Sequence, residues 1–431
     1  MKITKLRLNN FKSFSSLDLS FDSFSVIVGA NAAGKSNLIS AFKFIKDIML
    51  LGVDNAVALQ GGIKNIINSQ CSKGADVTIC FQISFPNQIS FLYGKNENIG
   101  LEIDGLNYSF SLVPHKRGNG YRIRYDELEI SYRCYGINPS IGRKQIEEKY
   151  TDLNTIFKAK YIRRTQKSRI TFSTEFGTNI KQTNFSDKDI SYNDYGKFFS
   201  EYLNNNKDEL MLNKLAFLLP PVFSEENFIN IYDFDPKMLK HSCSMTSMKR
   251  LEENGANLAA VLQDLLKSKG NRKDLTILLS NALPFVTSIS IESNVDQSYS
   301  FKIKEKFSSK SFHSNFLSDG TVSVIAIIIA LYFEKLTNTI IIEEPERNIH
   351  PMLLQKVVEM AKDVSNSRQI IFTTHNPEII KNVSLESIIL IKRDNTGSSV
   401  AIRPSNSEAV KCFLENELGL EELFLQNLLG E

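Results

Sequence analysis

The sequence is poor in cysteine and has no long apolar run. Its five cysteines lie far apart and form no CxxC pair, which argues against a disulfide framework and a zinc site and favours a reducing cytoplasm. The longest apolar run, 322–333, is far short of the roughly 20 residues that span a bilayer, and the first residues show no apolar signal core. We therefore expect a cytoplasmic protein with no membrane partner.

An excess of positive charge is also missing. The 51 Lys and Arg residues nearly balance the 48 Asp and Glu residues, which leaves a net charge of +3. A general nucleic-acid coat protein is far more basic, so any contact with DNA has to come from a local patch. The 431 residues are 42% hydrophobic and 23% charged, as in a globular protein. This composition excludes fibrous and wholly disordered classes, and the length predicts two or three structural units.

Apolar patterning predicts an α/β fold. The apolar run 24–28 leads into a glycine-rich loop and then into helical spacing, which is typical of a buried strand, a loop and a helix. The strand-like runs 339–344 and 370–375 enclose an amphipathic helix, which indicates a mainly parallel sheet flanked by helices. Short alternating segments in 76–134 predict an antiparallel meander. No heptad array or tandem repeat is visible.

The loop after the first buried strand fits the phosphate-binding pattern Gly29-x4-Gly34-Lys35-Ser36. Its glycines let successive N–H groups turn toward phosphates, Lys35 places a charge on the β- and γ-phosphates, and the Ser36 hydroxyl reaches Mg²⁺. The predicted ATP-binding residues are Gly29, Asn31, Gly34, Lys35, Ser36 and Asn37.

Two carboxylates stand at the tip of the strand-like run 339–344. We expect Glu343 to hold Mg²⁺ together with Ser36, and Glu344 to orient or activate the attacking water. Alone, such a pair is more often a solvated loop feature, but downstream of a phosphate loop it is typical of phosphoryl transfer. His375 ends the next strand and is predicted to contact the γ-phosphate, because ligands of α/β sheets bind at this edge.

The segment 317–321 (LSDGT) stands directly before an apolar helix. Ser318, Asp319 and Gly320 would place hydroxyl and N–H donors at the positive end of that helix, which forms an anion site. On its own, this motif would be an ordinary N-cap. Its meaning therefore depends on the other motifs.

The motifs GANAAGKS, LSDGT, IIIEEPERNIHP and TTHNPEII resemble, in this order, the Walker A, signature, Walker B and histidine switch of ABC-type ATPase heads. The chain is most similar to SMC- and RecF-like heads, especially compact bacterial AAA-family ATPases related to the overcoming-lysogenization-defect (OLD) nucleases. The resemblance covers about 1–90 and 225–395. It implies an α/β, ABC-type P-loop NTPase head with a mixed, largely parallel sheet, an antiparallel β subdomain and an inserted α-helical or mixed lobe.

The resemblance also implies a division into four segments. Segment 1–84 would carry the N-terminal part of the head, with the phosphate loop, and segment 85–244 the meander and the inserted lobe. Segment 245–395 would hold the C-terminal part of the head with the other motifs, and 396–431 a helical tail.

In such heads, ATP lies between the phosphate loop of one subunit and the signature of another. The resemblance therefore implies a dimer or higher homo-oligomer in which Ser318, Asp319 and Gly320 reach the partner's ATP. Asp319 departs from the common pattern, where glycine is frequent. The Q-loop glutamine is not identifiable, and Gln60 and Gln82 are the candidates.

The stretch after the Walker B motif allows two interpretations. Glu346 and His350 match the loop that crosses to the opposite subunit in the related heads. They are equally explained as helix caps, with Pro351 at the start of the helix.

The biological role of the predicted ATPase is expected to depend on the partner that it binds. The resemblance extends to ATPase subunits of two-gene anti-phage systems of the Septu and PARIS types, and the sequence shows no nuclease constellation. We therefore favour an anti-phage sensor and regulatory subunit that controls an effector in trans, with a TOPRIM- or HNH-type nuclease as the expected partner. The alternative is a RecF-like ATPase for DNA repair or maintenance that binds DNA directly, and a transporter subunit is a third hypothesis.

Two further segments bear on partners. The basic stretch 158–169 is the candidate contact for nucleic acid, although charge runs are more commonly solvated faces. The leucine-rich tail after 418 either packs on its own core or docks a partner.

Overall fold

The computed structural model describes residues 1–71, 74–85, 92–93, 99–116, 120–137, 150–166, 169–178, 209–218, 228–334, 336–415 and 418–430. The chain forms two compact units. The first unit comprises Met1–Phe21, Ser36–Phe228 and Arg393–Val400, and the second comprises Asp22–Lys35, Ile229–Lys392 and Ala401–Glu431. Each unit is assembled from segments that are distant in sequence. The four-segment division stays a prediction.

The first unit is built on an eight-stranded sheet. Its strands are β1 (Lys2–Phe11), β2 (Phe14–Ser20), β4 (Val77–Ser84), β5 (Leu92–Tyr93), β6 (Ile99–Pro114), β7 (Tyr121–Ile137), β8 (Tyr150–Gln166) and β9 (Arg169–Thr178). The order is β2-β1-β4-β6-β7-β8-β9, with β5 beside β6, and all these pairs are antiparallel. The predicted meander is thus part of a larger antiparallel sheet.

Helices of the first unit cover the apolar face of this sheet. They are α1 (Lys35–Leu51), α2 (Val53–Leu59), α3 (Ile63–Ile66) and α4 (Met211–Leu218). Burial alternates along β4, as expected for a strand with one face on the core. Phe44 of α1 lies 6.4 Å from Phe110 of β6 and 6.3 Å from Phe11 of β1, measured between ring centroids. These contacts anchor the helix that follows the phosphate loop.

The second unit contains the parallel sheet that the sequence predicts. Its strands are β3 (Phe24–Val28), β10 (Ile229–Tyr232), β15 (Thr339–Glu343), β16 (Gln369–Thr374), β17 (Ile388–Arg393) and β18 (Ser399–Ile402). The order is β10-β15-β16-β3-β17-β18, and each pair from β10 to β17 is parallel. Helices α8 (Asp319–Tyr332) and α9 (Pro351–Ser365) flank it. Twelve residues of α8 are buried, which explains its nearly continuous apolar sequence.

A small antiparallel sheet completes the second unit. It comprises β11 (Cys243–Ser244), β12 (Val286–Ser293), β13 (Ser298–Glu305) and β14 (Ser311–His313). The remaining helices are α5 (Pro236–Lys240), α6 (Leu258–Leu265), α7 (Lys269–Ala282), α10 (Pro377–Lys381), α11 (Glu408–Glu415) and α12 (Leu420–Leu425). Leu423 and Leu429 of the tail are fully buried in the core of their own unit, whereas Leu425 stays exposed. The tail therefore packs on its own core.

Much of the expected inserted lobe falls in 138–149, 179–208 and 219–227, which lie outside the described residues. Between the last two of these ranges, the structure describes helix α4. Within the described ranges, no helix is long and apolar enough to cross a membrane.

Residues 158–166 of the basic stretch lie on β8, and their charges are largely neutralised by the neighbouring strand β7. Lys158 pairs with Glu129 at 3.1 Å, and Arg164 pairs with Glu127 at 3.0 Å. Such cross-strand pairs form where opposite charges face each other on one side of a sheet. This part of the stretch is thus a mixed-charge surface, not a basic patch. Lys167 lies outside the described residues.

Arg163, from the same stretch, points to the other side of the sheet and is only 2% exposed. It pairs with the fully buried Asp126, which also accepts hydrogen bonds from the Tyr108 hydroxyl (2.5 Å) and the Met211 backbone N–H (2.8 Å). The Tyr108 hydroxyl in turn accepts one from the Leu212 N–H at 3.1 Å. These bonds satisfy free N–H groups in the first turn of α4. The cluster therefore fixes where the chain returns to the sheet after the insert.

We expect Arg163→Ala to destabilise the first unit, because Asp126 would stay buried without its ion partner. The free energy of unfolding should fall by about 3–5 kcal/mol. Chemical denaturation measures the loss, and hydrogen exchange at Met211 and Leu212 localises it. The matched control is Arg164→Ala, which removes an exposed pair and should cost about 0–1 kcal/mol. Equal losses in the two variants would contradict this account of the cluster.

Candidate nucleotide site

The phosphate loop joins the buried strand β3 to helix α1. Ala32 and Gly34 have φ angles of 60° and 122°, left-handed values that turn the loop back toward the helix. A Cβ on Gly29 would strike the carbonyl oxygen of Ile391, so this position requires glycine. Asn31 and Ser36 are exposed on the open side of the loop. The loop thus has the shape and the open surface that phosphate binding needs.

Lys35 is held inside its own loop. Its Nζ donates to the carbonyl oxygens of Gly29 (2.7 Å) and Ala30 (3.1 Å), and the residue is 9% exposed. Burial lowers the pKa of Lys35, and the nearby carboxylates of Glu344 and Glu346 act in the opposite direction. The ammonium group therefore lies within electrostatic reach of both carboxylates.

Parallel pairing brings the strand tips to one edge of the sheet. Val28, at the end of β3, pairs with Thr374, and Thr373 pairs with Glu343 at the end of β15. The carboxyl ends of adjacent parallel strands are where ligands of α/β folds bind. Register alone thus places the predicted Glu343 and Glu344 near the end of the phosphate-loop strand.

Glu344 turns sharply away from the strand that carries it. Its φ of 44° lies in the left-handed region, which is strained for a non-glycine residue, and its N–H donates to the carbonyl of Thr373 at 2.9 Å. The Oε1 atom lies 3.2 Å from Nδ1 of His375, and Oε2 accepts a hydrogen bond from Nη2 of Arg347 at 3.1 Å. The structure thus brings the two predicted catalytic residues together, and it adds an arginine that sequence reasoning missed.

Glu346 does not stand on a loop tip that could cross to another subunit. It is 7% exposed, and its Oε1 accepts a hydrogen bond from the Thr374 hydroxyl at 2.5 Å. That oxygen also lies 3.9 Å from Nδ1 of His375. Burial raises the pKa of Glu346. Of the two interpretations of this residue, the structure supports neither capping nor crossing, because Glu346 is a buried part of the carboxylate cluster.

His350 is a helix cap, one of the two alternatives. Its Nδ1 accepts a hydrogen bond from the Met352 N–H at 3.3 Å, and Pro351 occupies the first turn of α9. The ring thus satisfies one of the free donors at the start of the helix.

The signature segment opens α8 with a capped turn. The Ser318 hydroxyl accepts a hydrogen bond from the Thr321 N–H at 3.1 Å, as an N-cap does. Asp319 pairs with Lys240 and accepts a hydrogen bond from the Asn348 side chain at 3.4 Å. These partners explain why an aspartate stands where glycine is frequent. Neither partner could be predicted from the sequence, because Lys240, on helix α5, and Asn348 are both distant from Asp319 along the chain.

Gly320 is needed because the loop after the Walker B motif passes directly over it. A Cβ at this position would lie 2.7 Å from the backbone oxygen of Asn348. An open cavity of about 450 Å³ adjoins this contact and is lined by Ser318, Asp319 and His350 among others. The signature turn and the loop that carries Glu344 are therefore packed together within one chain.

The first unit contains a separate polar pocket of about 380 Å³ beside Asn37. Lys12 and Arg393 line it, and burial lowers the pKa of Lys12. Asn68, 3% exposed, also lines it, and its side-chain nitrogen has no hydrogen-bond partner among the described residues. Cations and free donors suit an anionic group.

The two candidate Q-loop glutamines, Gln60 and Gln82, lie in different parts of the first unit. Gln60 lines the polar pocket, and its Oε1 accepts a hydrogen bond from the Ser40 hydroxyl of α1 at 2.8 Å. Gln82 lies on β4, where its backbone carbonyl accepts from the Thr4 hydroxyl at 3.4 Å. The Q-loop assignment stays open, and Gln60 is the candidate that lies near predicted ATP-binding residues.

Mg²⁺ fits the donor set that the sequence predicts. Ser36 offers an exposed hydroxyl at the start of α1, and Glu343 offers a half-buried carboxylate at the tip of β15. Hard oxygen donors of this kind are the ligands that Mg²⁺ prefers. Their assignment as metal ligands remains a prediction.

Comparison with known proteins gives the family of the chain. Residues 24–381 match the model of a family described as "AAA domain, putative AbiEii toxin, Type IV TA system". This match covers well over half of the chain, and the protein therefore belongs to that family. A search of curated proteins finds no match.

One solved structure supports the fold. The chain is similar to an SMC head described as bound to the C-winged helix domain of ScpA, with 14% identity, 93% and 97% coverage of the two chains and a TM-score of 0.51. It also matches the SMC head domain from Thermotoga maritima, with 13% identity, 94% and 99% coverage and a TM-score of 0.46. The first match shows the fold alone: an ABC-type ATPase head of the SMC kind, as the sequence predicts.

We expect Gly320→Ala to destabilise the second unit, because the added Cβ must displace the backbone at Asn348. The free energy of unfolding should fall by about 1–3 kcal/mol, the usual cost of overpacking. The matched control is Gly270→Ala in α7, where a Cβ meets only the Ser268 hydroxyl at 3.7 Å. Alanine favours a helix over glycine by up to about 1 kcal/mol, so this control should be neutral or stabilising. Chemical denaturation measures the free energy of unfolding of both variants, and an equal change in the two would contradict the prediction.

Proposed function

We propose that this chain binds and hydrolyses ATP with Mg²⁺ and dimerises around the nucleotide. The observation that carries this is the meeting of three predicted parts at one sheet edge: Lys35 in its phosphate loop, and the contact between Glu344 and His375. Lys35 supplies charge for the phosphates, and Glu344 accepts a proton from the attacking water. Ser36 and Glu343 would hold Mg²⁺, which neutralises phosphate charge when bound.

His375 has a defined part in this proposal. Its Nδ1 faces the carboxylate of Glu344, so the proton of a neutral imidazole is expected on Nδ1 when the two hydrogen-bond. The ring is 45% exposed, which leaves Nε2 accessible to a γ-phosphate. We assign it the role of registering whether the γ-phosphate is present.

Dimerisation follows from the count of motifs. One chain carries one phosphate loop and one signature segment, and in related heads these act on the same ATP only across two subunits. The cavity beside Ser318, Asp319 and Gly320 is open to receive a γ-phosphate from a second copy. ATP would then favour the closed dimer because it contacts the signature only in that state.

The further role we propose is that of sensor and regulatory subunit in a bacterial anti-phage system, with an effector in trans. The family description names a toxin of a type IV toxin–antitoxin system, which supports a part in a defence pair. The similar SMC head is described as bound to a domain of another protein, so a head of this fold can carry a partner. The effector class we favour is a nuclease of the TOPRIM or HNH type.

One observation favours the alternative, a RecF-like ATPase that binds DNA directly. The β13–β14 hairpin carries Lys304, Lys306 and Lys310, and Phe307 at its tip is 87% exposed. Phe316 follows just before the signature and is 82% exposed. Lysines interleaved with exposed aromatic rings suit single-stranded nucleic acid, which combines phosphates with stacking faces. This hairpin is a better candidate than the neutralised stretch on β8.

We expect Glu344→Gln to bind ATP normally, to lose hydrolysis and to accumulate as an ATP-dependent dimer, because the amide cannot accept the proton of water. ATP hydrolysis, nucleotide affinity and light scattering with and without ATP are the measurements. Lys35→Ala is the companion variant, and it should bind no ATP and stay monomeric. Unchanged hydrolysis in Glu344→Gln removes this residue from its role, and normal ATP affinity in Lys35→Ala refutes the phosphate-loop assignment.

We expect the Glu344→Gln protein to co-elute with the product of a neighbouring gene in one nucleotide state. Failure to co-elute with and without ATP would refute the effector proposal. Addition of single-stranded DNA tests the alternative through stimulated ATP hydrolysis. Stimulation lost in the double variant Lys304→Glu and Lys310→Glu, but kept in the control Lys158→Glu, would favour direct DNA binding by the hairpin.

A further inference from the structure

Arg347 forms the only side-chain link described between the Glu344 carboxylate and the tip of strand β10. Its Nη2 donates to Oε2 of Glu344 at 3.1 Å. Its Nη1 lies 3.0 Å from Oδ1 of Asp233 and donates to the backbone carbonyl of Phe234 at 3.2 Å. One guanidinium therefore contacts three acceptors on two segments of the second unit.

The two segments come from adjacent strands. Tyr232, at the end of β10, pairs with Ile342 of β15, so Asp233 and Glu344 follow directly from neighbouring parallel strands. The strands fix the separation of the two residues' backbones, and Arg347 bridges their carboxylates. Burial lowers the pKa of Arg347, but the carboxylates of Glu344 and Asp233 together outweigh it and raise the pKa, so the group stays charged. A planar guanidinium can hold two partners in fixed directions, which an ammonium group cannot.

The carboxylate of Glu344 needs such a partner. The side chain is about one-third exposed, and its left-handed backbone fixes only where the side chain starts. A general base is effective only when its oxygen is held within hydrogen-bond reach of the proton it takes. The contact with His375 engages Oε1 alone, so a second contact is required to fix the plane of the carboxylate.

We propose that Arg347 is a positioning residue for Glu344, which it holds through Oε2 while Asp233 anchors the guanidinium. This inference rests on the proposed hydrolysis of ATP, with Glu344 as the base. Arg347 does not act on the phosphates in this role. Lys35 has different partners, the loop carbonyls of Gly29 and Ala30, so nucleotide binding and Glu344 orientation are separable.

The experiment compares Arg347→Ala, Arg347→Lys and Asp233→Asn with a matched control. The control is Arg403→Ala, which removes a 2.8 Å ion pair with Asp22 elsewhere in the same unit. We expect Arg347→Ala to lower kcat about 10- to 100-fold, the scale of a misplaced catalytic group, and to leave the Kd for ATP within about twofold. Arg347→Lys should recover part of the loss, Asp233→Asn should lose less than Arg347→Ala, and the control should keep its kcat.

Two results would overturn the proposal. One is a kcat for Arg347→Ala that equals or exceeds that of the unaltered protein. The other is a Kd for ATP that rises in Arg347→Ala as much as kcat falls, because the phosphate loop with Lys35, and not Arg347, holds the nucleotide in this proposal.

A second measurement separates this inference from the proposed function. Ring NMR signals of His375 report its contact with Glu344 without any ATP. They should shift in Arg347→Ala in the same direction as in Glu344→Gln, and stay unchanged in Arg403→Ala. Absence of ATP hydrolysis in the unaltered protein would refute the ATPase proposal, whereas an unshifted His375 signal in Arg347→Ala would refute the positioning role.

Discussion

The parallel register of β3, β16 and β15 is the constraint on which the site depends. Val28 pairs with Thr374, and Thr373 pairs with Glu343, so three chain segments end at the same edge. These strands are buried on both faces and mainly apolar, and their one charged residue, Glu343, stands where its strand ends. Burial of the strands thus confines the charged side chains of the site to the edge where the strands end.

Charge at this edge is arranged in opposing pairs. Lys35 faces the field of Glu344 and Glu346, and Glu344 in turn contacts His375 and Arg347. A buried carboxylate such as Glu346 is costly unless neighbouring donors and cations offset the loss of water. Thr374 supplies one such donor. The cluster therefore places donors and cations beside its carboxylates.

The signature turn is tied to this cluster through the backbone. The loop that begins with Glu344 continues to Asn348, whose carbonyl lies over Gly320 and whose side chain contacts Asp319. Displacement of the signature turn must therefore be accommodated by the loop that carries Glu344. The close contact between Gly320 and the Asn348 carbonyl transmits such displacements because it leaves no gap at that point.

The sequence by itself determined the phosphate loop, the strand-helix alternation and the paired carboxylates, because these depend on local spacing and on apolar runs. Tertiary structure alone decided the partners: Lys240 for Asp319, Asp126 for Arg163, and Asp233 for Arg347. These pairs join residues that are 79, 37 and 114 positions apart, so no local pattern could indicate them. The basic stretch of β8 shows the same limit, since only strand pairing reveals that its charges face acids on β7.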